Sequence, residues 1–137
     1  MRVALVNTNR VQPPIAPIGL DYVAEALAAA GDEVSLLDLC WEPDPAQAVR
    51  RFFNGQDFGL AGITLRNTDD CGYLTRHSFL PEFVEIMAAV RAATDAKIVV
   101  GGVGFSVMPE AVLGLSGADA GIWGDGEFAF AEMARLL

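Results

Sequence analysis

The residues of this chain that can do chemistry gather behind three apolar runs. The first, GLAGITLRNTDD, ends on Arg66, Asn67, Thr68, Asp69 and Asp70. A permanent cation, an amide, a hydroxyl and two carboxylates thus follow the kind of segment that forms a buried strand. A solvated loop accounts for such an ending, and so does a ligand site at a strand's carboxyl end. The second run leads into GGVGFSVMP, where Gly101, Gly102 and Gly104 remove side chains and permit close approach by a ligand. Glycines that only turn the chain look the same. The third leads into Gly124, Asp125, Gly126 and Glu127, and a helix dipole favours Glu127 at a helix start with no ligand at all.

The remaining chemistry-bearing residues are few. His77 is the only histidine, so neither a nucleophile–base pair nor a metal cluster can be built on it, and it reads as structural or exposed. Cys40 and Cys71 stand far apart and in no C-x-x-C arrangement. They read as two buried or half-buried thiols rather than a zinc site or redox pair. Trp41 and Trp123 read as packing residues near a sheet end. With no triad, ligand cluster or matched acid and base, the chain looks like the holder of a large cofactor.

Strand and helix patterns alternate five times to position these residues. The strands expected are Val3–Val6, Glu33–Leu39, Leu60–Leu65, Lys97–Val100 and Ala120–Trp123. Leu20, Val23, Ala24 and Leu27 mark the first helix, stopped at Gly31. Asp44 and Pro45 open the second, with Val49, Phe52 and Phe53 as its buried side. Ser78 and Pro81 open the third, whose face is Phe79, Phe83, Ile86, Met87 and Val90; Met108–Leu115 and Phe128–Leu137 complete the set. Continuous apolar strands alternating with helices mean a parallel sheet covered on both faces. The fold class expected is α/β: a flavodoxin-like or Rossmann-like, doubly wound, five-stranded parallel sheet in three layers. Ligands of such sheets sit beyond the strands' carboxyl ends, where Arg66 must lie.

The 137 residues suit one domain, 1–137, and 53% hydrophobic content excludes disorder. A net charge of −9 without a Lys/Arg cluster argues against nucleic acid and anionic membrane as partners. No apolar run reaches transmembrane length and the N-terminus lacks a signal-peptide pattern, so a cytoplasmic protein is expected. The last helix runs to ARLL without a stop signal, as in a piece cut from a longer chain. After the first strand comes NTNRVQPPIAPIGL, a long, stiff loop with three prolines. It has neither the phosphate cradle of an FMN site nor the aspartate of a receiver domain, since Asn7 and Asn9 stand there.

Five segments in this order, PPIAPIGLDYVAEALAAAGDEVSLLDL, GITLRN, PEFVEIMAAVRA, IVVGGVGFSVMPE and ADAGIWGDGE, resemble the N-terminal cobalamin-binding domain of B12-dependent radical SAM enzymes. The LRN after the third strand resembles the branch of tryptophan 2-C-methyltransferase-like proteins. The resemblance implies a sheet that binds cobalamin base-off, with its nucleotide tail in the side of the sheet. Gly101 and Gly102 would flank the tail, with Thr64 and Gly124 nearby, and the corrin would rest on the loops after Asn7, Leu65 and Val103. The implied cofactor-binding set is Asn7, Thr8, Thr64, Leu65, Arg66, Asn67, Gly101, Gly102, Val103, Gly104, Gly124 and Gly126, with no catalytic and no protein metal-ligand residue. The implied chemistry is methyl transfer from methylcobalamin, remethylated by S-adenosylmethionine.

Two departures accompany the resemblance. Classical cobalamin modules carry D-x-H-x-x-G after the first strand, and here that loop holds no histidine. The C-x-x-x-C-x-x-C motif of a radical SAM iron–sulfur cluster is also absent; that domain would follow Leu137, and this chain alone would bind without turning over. Arg66, unable to coordinate, would then lie under the corrin, with Asn67, Thr68 and Asp69 on corrin amides or on Arg66 itself. A rim salt bridge from Arg66 to Asp69 or Asp70 is the plainer alternative. A cofactor-free regulatory module of the same fold, with Phe105 and Met108 blocking the mouth, and an FMN-binding flavodoxin-like domain are the other readings.

Overall fold

The computed structural model describes Met1–Leu137. Five strands, β1 (Arg2–Asn7), β2 (Glu33–Asp38), β3 (Leu60–Thr64), β4 (Lys97–Gly101) and β5 (Ala120–Gly121), alternate with helices. These are α1 (Ile18–Ala29), α2 (Pro45–Phe53), α3 (Leu80–Ala93), α4 (Val103–Val107), α5 (Pro109–Ser116) and α6 (Glu127–Leu136), and a single 3-10 turn, Leu39–Trp41, follows β2. All strand pairs are parallel, in the order β2-β1-β3-β4-β5. The doubly wound, three-layer expectation therefore holds.

Period-two alternation divides the core into two layers. Val3 and Leu5 of β1, Leu60 of β3 and Val99 of β4 pack under α1 and α6 with Leu20, Leu27 and Phe130. Ala4 and Val6, Ala61 and Ile63, Ile98 and Val100 face α2, α3 and α5 with Phe53, Phe83, Met87 and Val112. The strand ends align: Asn7 pairs with Asp38 on one side and Thr64 on the other, and Thr64 pairs with Gly101. Asp38, Asn7, Thr64 and Gly101 thus form one row along the carboxyl rim, across the switch point between β1 and β3 where such sheets bind ligands.

Local signals placed most boundaries. Asp44 caps α2, its carboxylate accepting from the Gln47 N–H at 2.9 Å, with Pro45 at the first helical position. Ser78 Oγ accepts from the Leu80 N–H at 3.3 Å at the start of α3. Glu127 lies in the first turn of α6 without a side-chain capping bond, so its contribution there is to the helix dipole.

Several expectations are corrected. The glycine segment after β4 is not loop throughout, because Val103–Val107 closes one helical turn before α5. β5 is only Ala120–Gly121, although Ile122 N–H still donates to Val100 O at 2.9 Å. β2 and β3 each end one residue early, at Asp38 and Thr64. Cys40 is buried but Cys71 is exposed. Trp41 and Trp123 do not pack in the core; both are largely exposed.

The short β5 edge is held by a carboxylate. Asp119 accepts from the Ile98 N–H at 2.7 Å and from Arg91 Nη2 at 2.8 Å, with Lys97 Nζ 3.7 Å away. The Ile98 N–H first, and then Arg91, hold this carboxyl below the usual carboxylate range. A folded-state value below the unfolded one contributes stability in full above the ordinary aspartate value, near pH 4, and loses it as pH falls through the folded value. Asp119→Asn should therefore lower stability by about 1 kcal/mol at neutral pH. Thermal melts of the two proteins should converge below about pH 4.

Candidate functional site

Two concavities flank the row of strand ends, one on each face of the sheet. The first is a slot of about 320 Å3 on the α1/α6 face. Its floor comes from strand residues of that face, Leu5, Gly62 and Val99, and its sides from Leu20 and Val23 of α1 and Phe130 of α6. Thr64, Gly101, Gly102 and Val103 form one lip; Ile122, Gly124 and Gly126 form the other. Asp125, Glu127 and Ser106 supply the polar atoms at the mouth.

Glycines make this slot in two ways. Gly102 adopts φ 98 and ψ 171, a region essentially reserved for glycine. A Cβ there would lie 2.5 Å from Thr64 Oγ1 and 2.7 Å from Leu65 O, so the β4–α4 turn presses directly against the end of β3. Gly101 differs, since an added Cβ would meet nothing closer than Ile122 O at 3.7 Å. It leaves empty space. Gly124, at φ 90, has open space around it too, and its N–H donates to Ser106 Oγ at 3.0 Å, tying the two lips together. The Thr64 side-chain hydroxyl makes no hydrogen bond inside the protein, while its carbonyl accepts from Thr8 Oγ1 at 2.6 Å.

The slot is not blocked. Phe105 lies on the other face of the sheet, in the core beneath α5, and its ring occupies the space where a Gly121 side chain would stand. Met108 is exposed at the start of α5.

The second concavity, about 290 Å3, lies at the ends of β1 and β3 on the α3 face. Val11, Leu65, Phe79 and Phe83 form its apolar part, and Thr8, Asn9, Arg10, Arg66, Asn67, His77 and Glu82 its polar part. Arg10 is held within the protein, with Nε 2.8 Å from Glu82 and Nη1 donating to the carbonyls of Leu39 and Glu42. Arg66 has no carboxylate partner. With the Asn67 amide oriented to suit its neighbours, its oxygen accepts from Arg66 Nη1 at 3.2 Å and its nitrogen donates to Arg66 O at 2.8 Å.

Asp69 and Asp70 do not reach Arg66. Asp69 accepts from the Cys71 N–H at 2.7 Å, and Asp70 from the Gly72 N–H at 2.9 Å, the His77 N–H at 3.2 Å and the Thr75 hydroxyl. The Thr75 and Gly72 bonds hold the Asp70 carboxyl below its usual range. Together the two aspartates fold the β3–α3 loop back on itself, with Asp69 bridged to Ser78. Hydrogen bonding to Asp69 pushes the exposed Cys71 thiol up.

The residues singled out in the sequence therefore divide. Thr64, Gly101, Gly102, Val103, Gly124 and Gly126 meet at the slot; Thr8, Leu65, Arg66 and Asn67 meet at the polar cavity. Asn7 lines neither: its amide is used inside the protein, donating to Asp38 Oδ1 at 2.8 Å and accepting from the Asn9 N–H at 3.1 Å. Gly104 also lines neither; a Cβ there would stand 3.0 Å from the Asn67 backbone, so it lets α4 pack on the rim. Sequence reasoning missed the floor and sides of the slot, Leu5, Gly62, Val99 and Phe130, because only the sheet pairing shows that they share a face. It also missed Asn9, His77 and Glu82 as cavity neighbours.

Apolar walls, a free hydroxyl at the lip and a position where a side chain is missing but would fit make the slot an open ligand site. The chain is 40% identical over 136 residues, 98% of its length, to a tryptophan 2-C-methyltransferase of Streptomyces laurentii, of which it covers 23%. A solved structure of the radical S-adenosylmethionine methyltransferase TsrM from Kitasatospora setae, with cobalamin and a [4Fe-4S] cluster bound, superimposes with a TM-score of 0.94 at 40% identity. The match covers 98% of this chain and 24% of that one. The chain thus spans about a quarter of the length of these relatives. A CheY-like receiver domain from Methanospirillum hungatei, 15% identical with a TM-score of 0.59 over 98% of this chain and 90% of its own, shares the fold alone. Residues 4–134 match the family described as B12 binding domain, and the chain belongs to that family.

Proposed function

We propose that this chain is the cobalamin-carrying domain of a B12-dependent radical SAM methyltransferase. It holds the corrinoid base-off, with the nucleotide tail in the α1/α6 slot and no histidine under the cobalt. The observation that carries this reading is the open, glycine-lipped slot beside a polar cavity in which Arg66 has no carboxylate partner. Bound cobalamin would supply carriage of a methyl group. S-adenosylmethionine and an iron–sulfur cluster would be held by a radical SAM domain elsewhere in a longer protein, as the relatives' lengths suggest.

The chain's own residues have distinct tasks in this reading. Leu5, Val99, Ile122 and Phe130 exclude water from the tail, and the Thr64 hydroxyl donates to it. Arg66, oriented by Asn67, would lie under the bound ring. A guanidinium offers no lone pair, so it would fill that space without coordinating. The salt-bridge alternative for Arg66 has no support, since both nearby aspartates are committed to the loop. The cofactor-free alternative is disfavoured by the clear slot, and the FMN alternative by the absence of a phosphate cradle.

His77 lines the same cavity as Arg66 and is the one imidazole able to compete for the lower face. Visible spectra of the chain reconstituted with hydroxocobalamin separate the two. Arg66→Ala and Arg66→His should both change the spectrum, the latter toward a histidine-ligated form, while His77→Ala should leave it as in the parent. If neither Arg66 variant differs from the parent, or if His77→Ala shifts the bands, Arg66 is not under the cobalt. A desalted protein that stays colourless rejects cobalamin altogether, and retention of yellow FMN would favour the flavin reading.

A further inference from the structure

One buried atom in this chain lacks a partner. Asn9 is 8% exposed and lines the polar cavity at the end of β1. Its oxygen accepts from the Val11 N–H at 3.4 Å, but its amide nitrogen is the only buried side-chain polar atom without a hydrogen bond. Turning the amide over does not help, because the nitrogen would then face the Val11 N–H, donor against donor. An unmet buried donor is destabilising, and folded proteins keep few of them. Its neighbours at the rim show how completely the other groups are satisfied: Asn7, Thr8 and Arg10 all have protein partners.

We propose that Asn9 is a corrinoid-binding residue whose amide N–H donates to the carbonyl oxygen of a carboxamide arm on the corrin's edge. The inference rests on the cobalamin reading above. Carboxamide arms radiate from the corrin periphery, and a ring seated over the ends of β1 and β3 would direct some of them down the α3 face. The cavity there, about 290 Å3, has an apolar part for the arm's methylenes in Phe79 and Phe83. It also has an acceptor for the arm's own N–H2 group, since Glu82 meets Arg10 through one oxygen at 2.8 Å and keeps lone pairs free. The Asn9 nitrogen is closed off from solvent in the free chain. An arm therefore reaches it only when a side chain of the cavity wall shifts as the ring seats. A trapped water is the competing partner. Water would serve the free protein, whereas an arm serves only the complex.

The experiment measures two quantities on the parent, Asn9→Leu and Asn9→Asp: the melting temperature without cofactor and the Kd for hydroxocobalamin. Leucine removes the orphaned donor at nearly constant volume, and aspartate keeps the bond from the Val11 N–H while losing the donor. Both variants should bind about tenfold more weakly, the equivalent of about 1.4 kcal/mol. Cofactor-free Asn9→Leu should melt at the parent's temperature or above it. Parent-like Kd values in both variants would overturn the assignment. So would a cofactor-free Asn9→Leu that melts several degrees lower, more than the loss of the long Val11 N–H bond explains, because the Asn9 nitrogen would then have its partner in the free chain. If the parent itself fails to bind hydroxocobalamin, it is the cobalamin reading that falls, and Asn9 with it.

Discussion

Gly101→Leu should leave the chain folded and unable to retain cobalamin. Gly101 ends β4 on the same face as Val99, and that face forms the floor of the slot. Its backbone does not need glycine, and a Cβ would make only ordinary contacts, 3.7 Å to Ile122 O and 4.0 Å to Ile122 Cβ. The rest of a leucine side chain then extends into the space of about 320 Å3 that the nucleotide tail is proposed to occupy. Because the slot is already lined by Leu5, Val23 and Ile122, those apolar atoms are welcome there. Stability should change by less than about 1 kcal/mol, a shift of a few degrees in melting temperature. Binding of hydroxocobalamin should weaken at least about a hundredfold, roughly 2.7 kcal/mol. Cobinamide, which has the ring but no tail, should bind parent and variant alike. If Gly101→Leu keeps hydroxocobalamin as tightly as the parent, the tail is not in this slot.

Much of this arrangement was legible before the fold was known. Short apolar runs alternating with helical patterns gave the parallel sheet, because strands covered on both faces read as continuous apolar runs. Glycines after β4 and β5 and polar residues after β3 then had to meet at one rim. What could not be read was which side of the rim each residue serves. Thr64 and Leu65 are adjacent, yet one faces the slot and the other the polar cavity, and that follows only from the pleat and the register of β3 against β1. The two aspartates were open to several uses in sequence, and only the folded loop shows Asp70 taken up by Thr75, Gly72 and His77. Asn9 carried no sequence signal, because a missing hydrogen bond is a property of surroundings rather than of residue type. Trp41 and Trp123 misled for a related reason: large aromatics usually pack, and these two stand on the rim, largely exposed.

The neighbouring glycine should behave in the opposite way. Gly102→Ala adds a single methyl group, but at φ 98 and ψ 171 the backbone itself is the obstacle, with a cost of about 1–3 kcal/mol for any other residue. The methyl would also stand 2.5 Å from Thr64 Oγ1 and 2.7 Å from Leu65 O. The hydroxyl can rotate away, but the carbonyl cannot, because it accepts from the Gly104 N–H at 2.9 Å and so fixes the start of α4. Relief therefore requires the β4–α4 turn to lift off the end of β3, at roughly 1–3 kcal/mol more. Set against the 5–15 kcal/mol typical of a domain, the sum should lower the melting temperature by about 10 °C or more. The lifted turn also carries Val103 and Ser106, so the lip of the slot moves and hydroxocobalamin binding should fall together with stability. Gly101→Ala, one residue earlier, provides the control: the same methyl in open space should change neither measurement appreciably. If Gly102→Ala melts like Gly101→Ala, the β4–α4 turn is not pressed against β3, and the slot does not owe its shape to that contact.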